Sequence, residues 1–214
     1  AHGGSLHTGT VVQQLRVEGD RVVGVTLADG KQIAARQVIC NADIWSTLGL
    51  LPKSVAPKWQ RQRQATPVCN GFLHLHLGFD ATGLEDLPIH TVWVDDWERG
   101  IDAERNAVVL SIPSVLDPSM APAGRHVLHA YTPASEPWEI WADMERDSAA
   151  YQQRKQERCA VFWRVLERRI PDIRDRCELI MEGTPLTHSH FLNVHQGSYG
   201  PALSAAEGLF PGVT

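Results

Sequence analysis

The sequence predicts a mixed α/β fold of the α+β kind, in which antiparallel strands and helices occupy separate stretches of chain. Three observations carry this expectation. Turn signals recur at short intervals through the first forty residues. Strand-like apolar segments separated by Asp-, Gly- and Pro-rich loops fill residues 71–132, and a helical period replaces the two-residue one after Ser148. With 43% hydrophobic and 21% charged residues, a chain of 214 residues buries a core of its own, which excludes a disordered or fibrous protein.

Taken in order, residues 10–17 and 21–27 read as strands about a turn at Glu18-Gly19-Asp20. A second turn at Asp29-Gly30 leads to a short return ending at Ala34, which completes a β-meander. Val38-Ile39-Cys40 is a short apolar run of the type that is buried on both faces in a parallel sheet. Asn41-Ala42-Asp43 supplies turn and cap chemistry, and a surface helix is expected to start near Pro57 and run to Gln64. Residues 71–78, 89–95, 107–113 and 126–132 follow as the strands of a second, antiparallel sheet. Tyr151, Cys159, Phe162, Leu166 and Ile170 then recur at helical spacing among Arg and Lys residues, and Pro171 should end that helix. A strand over 177–182 and a Gly-, Ser- and Pro-rich tail from Gly183 close the chain. The expected division is 1–50, 51–182 and 183–214.

A net charge of −5 gives no general attraction to phosphate backbones or anionic lipid, so nucleic acid is not an expected partner. Cys40, Cys69, Cys159 and Cys177 are widely spaced without a C-x-x-C pair, as suits reduced thiols in a cytoplasmic compartment. No apolar run approaches the ~20 residues that cross a bilayer, and residues 1–10 lack the order of a secretion signal. A soluble or peripherally membrane-associated protein is expected. The missing initiator Met and the ending at Thr214 suggest truncation at both ends.

The candidate chemistry is sparse. His74-x-His76 lies in a predicted strand and His188-x-His190 forms a second pair, but nothing in the sequence ties the pairs to each other or to a carboxylate. They are therefore read as ordinary histidines, with no metal site. Asp95 and Asp96 are neighbours that point to opposite faces of a strand, so they read as capping or turn residues and not as an acid–base pair. No G-x-S-x-G elbow supports a hydrolase. Trp93, Trp97, Trp138, Trp141 and Trp163 fall in the second sheet and its helices, where they either pack a core or line a long apolar cavity.

Residues 21–30 (RVVGVTLADG) and 34–42 (AARQVICNA) resemble the meander and return strand of FAD-dependent amine oxidases and phytoene desaturases. More specific are residues 110–122 (LSIPSVLDPSMAP), 124–129 (GRHVLH), Gly183-Thr184-Pro185 with Thr187-His188, Phe191-Leu192, and Gly197-Ser198-Tyr199-Gly200-Pro201. Together with Asp95-Asp96-Trp97 they are similar to the carotenoid cis-trans isomerases of cyanobacteria and plants, from about Thr10 onward.

The resemblance implies a partial FAD/NAD(P)-binding domain over 1–50, a substrate-binding domain over 51–182, and a segment over 183–214 returning to the FAD domain. It implies FAD as cofactor and a poly-cis-carotene as substrate, isomerised by reduced flavin without net redox change. Val12, Asn41 and Ala42 are then the cofactor-binding positions, at the adenine and adenosine, while Gly197, Tyr199 and Gly200 are candidates for the substrate or flavin wall. A related desaturase or saturase shares the same signature, and a non-catalytic apolar-ligand module is the reading from another class. The chain lacks a G-x-G-x-x-G turn to seat the pyrophosphate, so tight FAD binding by these 214 residues alone is not expected.

Overall fold

The computed structural model describes residues 3–202, which fall into two compact units divided at Pro67 and Val68. This division lies beyond the boundary at residue 50, because a helix over Pro57–Gln64 also belongs to the first unit. Residues 183–202 belong to the second unit, and the rest of the expected C-terminal segment lies outside the described residues.

In the first unit, β1 (Val12–Glu18), β2 (Arg21–Leu27) and β3 (Gln32–Ala34) form an antiparallel meander in that order. Glu18 pairs with Arg21 across a two-residue turn in which Gly19 adopts φ +62°, a conformation that a side chain would disfavour. α1 (Ile44–Leu50) packs on β1 and on α2 (Pro57–Gln64) and buries Trp45 and Leu48, while Leu15 and Leu27 are the buried residues of the meander. Asp43 caps α1 by accepting from Ser46 N at 2.7 Å, and Pro57 occupies the first turn of α2. The expected strand at Val38-Ile39-Cys40 is not formed, and Ile39 is 97% exposed. A strand buried on both faces needs a partner on each side, and this run pairs with no strand among the described residues.

The second unit is a five-stranded antiparallel sheet covered on one side by a helix. β4 (His74–Asp80), β5 (His90–Val94), β6 (Ala107–Ser111), β7 (Arg125–Tyr131) and β8 (Cys177–Gly183) stand in the order β5-β6-β7-β4-β8. All four expected strands over residues 71–132 are present, as is the one near residue 177. Alternation along β4 sends Leu75, Leu77 and Phe79 to one side, where they meet Leu128, Ala130 and Leu110 under α3 (Ala149–Arg169). α3 is the predicted amphipathic helix, capped by Ser148 and ending before Pro171, with Tyr151, Cys159, Phe162 and Leu166 buried on the sheet. α4 (Ile173–Arg176) turns the chain into β8. β8 is an edge strand whose Leu179, Ile180 and Met181 remain half-exposed.

One buried ionic group locks α3 to the loop before it. Glu136 is fully buried, receives the Trp141 indole N–H at 2.9 Å and pairs with Arg158 of α3, which also reaches Glu104. Trp141 and Trp163 are core residues, Trp93 and Trp138 pack against the core, and Trp97 is exposed. The core reading therefore holds for Trp141 and Trp163, while Trp93 also lines a small cavity with Pro88, Thr91, Leu110 and Val165. Asp96 caps a short turn at Trp97–Arg99 through Glu98 N at 2.9 Å, as its position predicts.

The tail from Gly183 contains a helix that its composition conceals. α5 (Pro185–Leu192) begins with a reciprocal capping box between Thr184 and Thr187, and the Tyr151 hydroxyl bonds both threonines, at 3.0 and 3.1 Å.

Candidate functional site

The side of the five-stranded sheet away from α3 is lined by rings. His74 and His76 alternate with the buried leucines of β4, so both lie on this side, and the antiparallel register sets His129 of β7 opposite His76 and Tyr131 opposite His74. His129 stacks on His76 with centroids 4.4 Å apart and planes inclined by 2°, while its Nε2 sits 3.0 Å from His74 Nδ1. His188 of α5 meets the edge of His74 at 4.6 Å. Phe72 continues the row, edge-on to His74 at 5.3 Å and to Tyr131 at 5.7 Å. Met181 and Leu179 of β8 pair with His76 and Gly78, which extends the surface with flexible apolar side chains.

The sequence keeps the two histidine pairs apart; the structure corrects this by bringing His74, His76 and His188 together and adding His129. The cause is register, which no local spacing encodes. His190, the other member of its pair, is exposed and does not join the group.

Burial and the neighbouring imidazoles hold His74 down to about 3, and burial chiefly holds His129 down to about 4; His76 and His188 are lowered as well, mainly by burial. All four rings are therefore neutral at pH 7. In the unfolded chain a histidine titrates near its ordinary value of about 6.5, so below that value the unfolded state binds more protons than the folded one. Stability is fully present above pH 6.5 and falls as the pH drops from there toward 4 and 3. In urea melts run with chelator present, the midpoint should decline over that window, and His129→Phe should flatten the decline.

Tyr199, singled out in the sequence, is 72% exposed and packs edge-on to Phe72 with centroids 4.6 Å apart, so it stands at the end of the ring row. Gly197 has a structural duty. At φ +56° a side chain there would collide with the Pro185 carbonyl at the start of α5. Gly197→Ala should cost roughly 1–3 kcal/mol from backbone strain alone, measured as a lower unfolding midpoint. Gly200 has φ +133°, open space around it and a carbonyl that accepts from Cys69 N at 2.8 Å.

Residues 1–174 match the family described as flavin-containing amine oxidoreductases. The chain belongs to this family. It is 36% identical over 199 residues to the chloroplastic prolycopene isomerase of Arabidopsis thaliana, covering 89% of this chain and 32% of that protein. It is 30% identical over 150 residues to the all-trans-zeta-carotene desaturase of Myxococcus xanthus, covering 61% of this chain and 27% of that protein. The fold resembles a solved oxidoreductase of Methanosarcina mazei, with a TM-score of 0.55 and 20% identity over 84% of this chain and 38% of that one. The chain thus spans about a third of the length of the curated relatives it matches. Among the described residues no helix is long and apolar enough to cross a membrane.

The flavin-containing family implies FAD in the parent protein, and the expected cofactor positions Val12, Asn41 and Ala42 all lie in the first unit. Val12 opens β1, which has β2 as its sole neighbour among the described residues, so the outer row of backbone N–H and C=O groups is open to a base edge. Asn41 and Ala42 are exposed just before α1, where the Asn41 amide can both donate and accept.

Proposed function

We propose that this chain is part of an FAD-dependent carotenoid isomerase that converts poly-cis-lycopene to all-trans-lycopene with reduced flavin and no net redox change. The observation that carries the reading is the 36% identity to a prolycopene isomerase across 89% of the chain. In this reading residues 1–50 contribute to the FAD domain, the five-stranded sheet is the substrate domain, and Val12, Asn41 and Ala42 hold the adenosine. Bound FAD supplies the electrons that loosen a cis double bond. The chain's own residues supply a surface. Phe72, Tyr131, Tyr199 and the neutral imidazoles offer flat faces, and Leu179 and Met181 adapt around them, a lining suited to a long apolar polyene and to the exclusion of water. Tyr199 walls one end of it. No acid or nucleophile is required of the protein.

The test is product analysis with the full-length protein, reduced flavin and poly-cis-lycopene. An isomer of unchanged mass supports the reading. In a parallel reaction with oxidised flavin to accept the two hydrogens, a product two hydrogens lighter supports a desaturase instead, a second reading favoured by the 30% identity to a carotene desaturase.

The 214-residue chain alone should bind FAD weakly, with a Kd above the micromolar range in a fluorescence titration. Edge-strand and Asn41 hydrogen bonds contribute roughly 0.5–1.5 kcal/mol net each, against about 4–15 kcal/mol of lost translational and rotational freedom. The sequence contains no glycine-rich turn to add the pyrophosphate contacts.

A further inference from the structure

We propose that His74, His76 and His129 form a three-imidazole site for one borderline divalent cation of the zinc class. The proposal uses imidazoles that also line the surface in the isomerase reading, but it does not need that reaction, and metal binding is measured separately from product analysis. Each of the three rings offers a ligand nitrogen, and these nitrogens lie within 4.8 Å of one another. Two residues at i and i+2 of one strand and a third directly across on its neighbour place three side chains on one side of a rigid sheet, so the backbone, not a loop, fixes their convergence.

The group is poorly satisfied without a cation. His74 Nδ1 and His129 Nε2 share a single hydrogen at 3.0 Å, while His74 Nε2 is buried with no hydrogen-bond partner. Zinc–nitrogen bonds of about 2.0–2.1 Å in tetrahedral geometry set ligand nitrogens about 3.4 Å apart. The 3.0 Å between His74 Nδ1 and His129 Nε2 is close to that value and all three ligand nitrogens lie within 4.8 Å, but the His76 ring, stacked on His129 at 4.4 Å, has to rotate about its exposed side chain to aim its in-plane lone pair at the same ion. The donor set selects the ion. Imidazoles suit zinc, cobalt, nickel or copper, whereas calcium and magnesium want carboxylate oxygens, which this trio lacks. Three histidines with an exposed side also leave a fourth position for water, the layout of an open site and not of a closed structural one. His188 meets the His74 ring edge-on with centroids 4.6 Å apart.

The test uses the 214-residue chain, stripped with chelator and titrated with Zn2+ and with Co2+. One equivalent should bind, Co2+ should give the visible bands of a low-coordinate nitrogen site, and Zn2+ should raise the unfolding midpoint. Loss of an outer-shell partner commonly weakens a metal site about 10–100-fold, and loss of a ligand should do no less. His76→Asn and His129→Asn should therefore each weaken binding by at least about tenfold, while His190→Ala, at an exposed position outside the group, leaves it unchanged. Because His76 is exposed, its variant should fold, which circular dichroism verifies. Substoichiometric binding by the wild-type chain, or equal binding by the wild type and the His76→Asn variant, would overturn the proposal.

Discussion

Arg158→Leu should destabilise the second unit by about 3–5 kcal/mol, the scale on which removing one partner of a buried ion pair acts. Glu136 has no exposed surface, and burial pushes its carboxyl above the usual range while Arg158 pulls it back. Without the guanidinium, the carboxylate is left with the Trp141 indole as its side-chain donor, at 2.9 Å. The variant's loss should shrink as the pH falls and Glu136 takes up a proton, because a neutral carboxyl costs less to bury. The double variant Arg158→Leu/Glu136→Gln should recover most of the stability, since Gln keeps an acceptor for Trp141 and leaves no stranded charge. Urea midpoints of the two variants at pH 7 decide it. Equal midpoints would show that the loss comes from packing of the Arg158 stem and not from the charge.

Phe162→Ala should cost about 3–5 kcal/mol through lost apolar burial and the cavity left behind. Phe162 is fully buried in the middle of α3, on the side that covers the sheet. The midpoint should fall with an unchanged denaturant slope, since the surface exposed on unfolding is nearly the same. Phe162→Leu should cost less than half as much. Phe162 lies one turn beyond Arg158 on α3, where side chains four residues apart are neighbours, so the two effects should couple and not simply add.

The sequence was most legible where the determinants are local. Alternating residues around Asp- and Gly-containing turns placed the meander and the sheet strands, and the run from Tyr151 to Ile170 placed α3 with its end at Pro171. Asp43 and Asp96 cap where a short acidic side chain before a turn of helix should. Legibility failed where the outcome depends on partners far away in sequence. Val38-Ile39-Cys40 has the composition of a buried strand, yet pairing is supplied by neighbours and not by the run itself. α5 was hidden because Gly183, Pro185 and Ser189 suggest a loop; the Thr184-x-x-Thr187 box with Pro185 in the first turn was the available signal. The ring surface was half visible, since His74-x-His76 fixed two members on one side of a strand. His129 needed the β4–β7 register, and the close approach of Gly197 to Pro185, twelve residues earlier, is likewise encoded by no local spacing.

The edge position of β8 has a bearing on how copies of this chain meet. Leu179, Ile180 and Met181 on an open edge would ordinarily template a second strand of the same kind. Two copies laid antiparallel about Ile180 would bring Leu179 against Met181, and in the same register Glu178 would oppose Glu182 on both sides of the centre. Like charges directly opposite each other disfavour a strand pair. Each opposed pair sets a Glu178, bridged to Arg125 at 2.7 Å, against a Glu182, so Arg125 screens part of the repulsion, and a charge-removing change at Glu182 would make self-association of the strand easier.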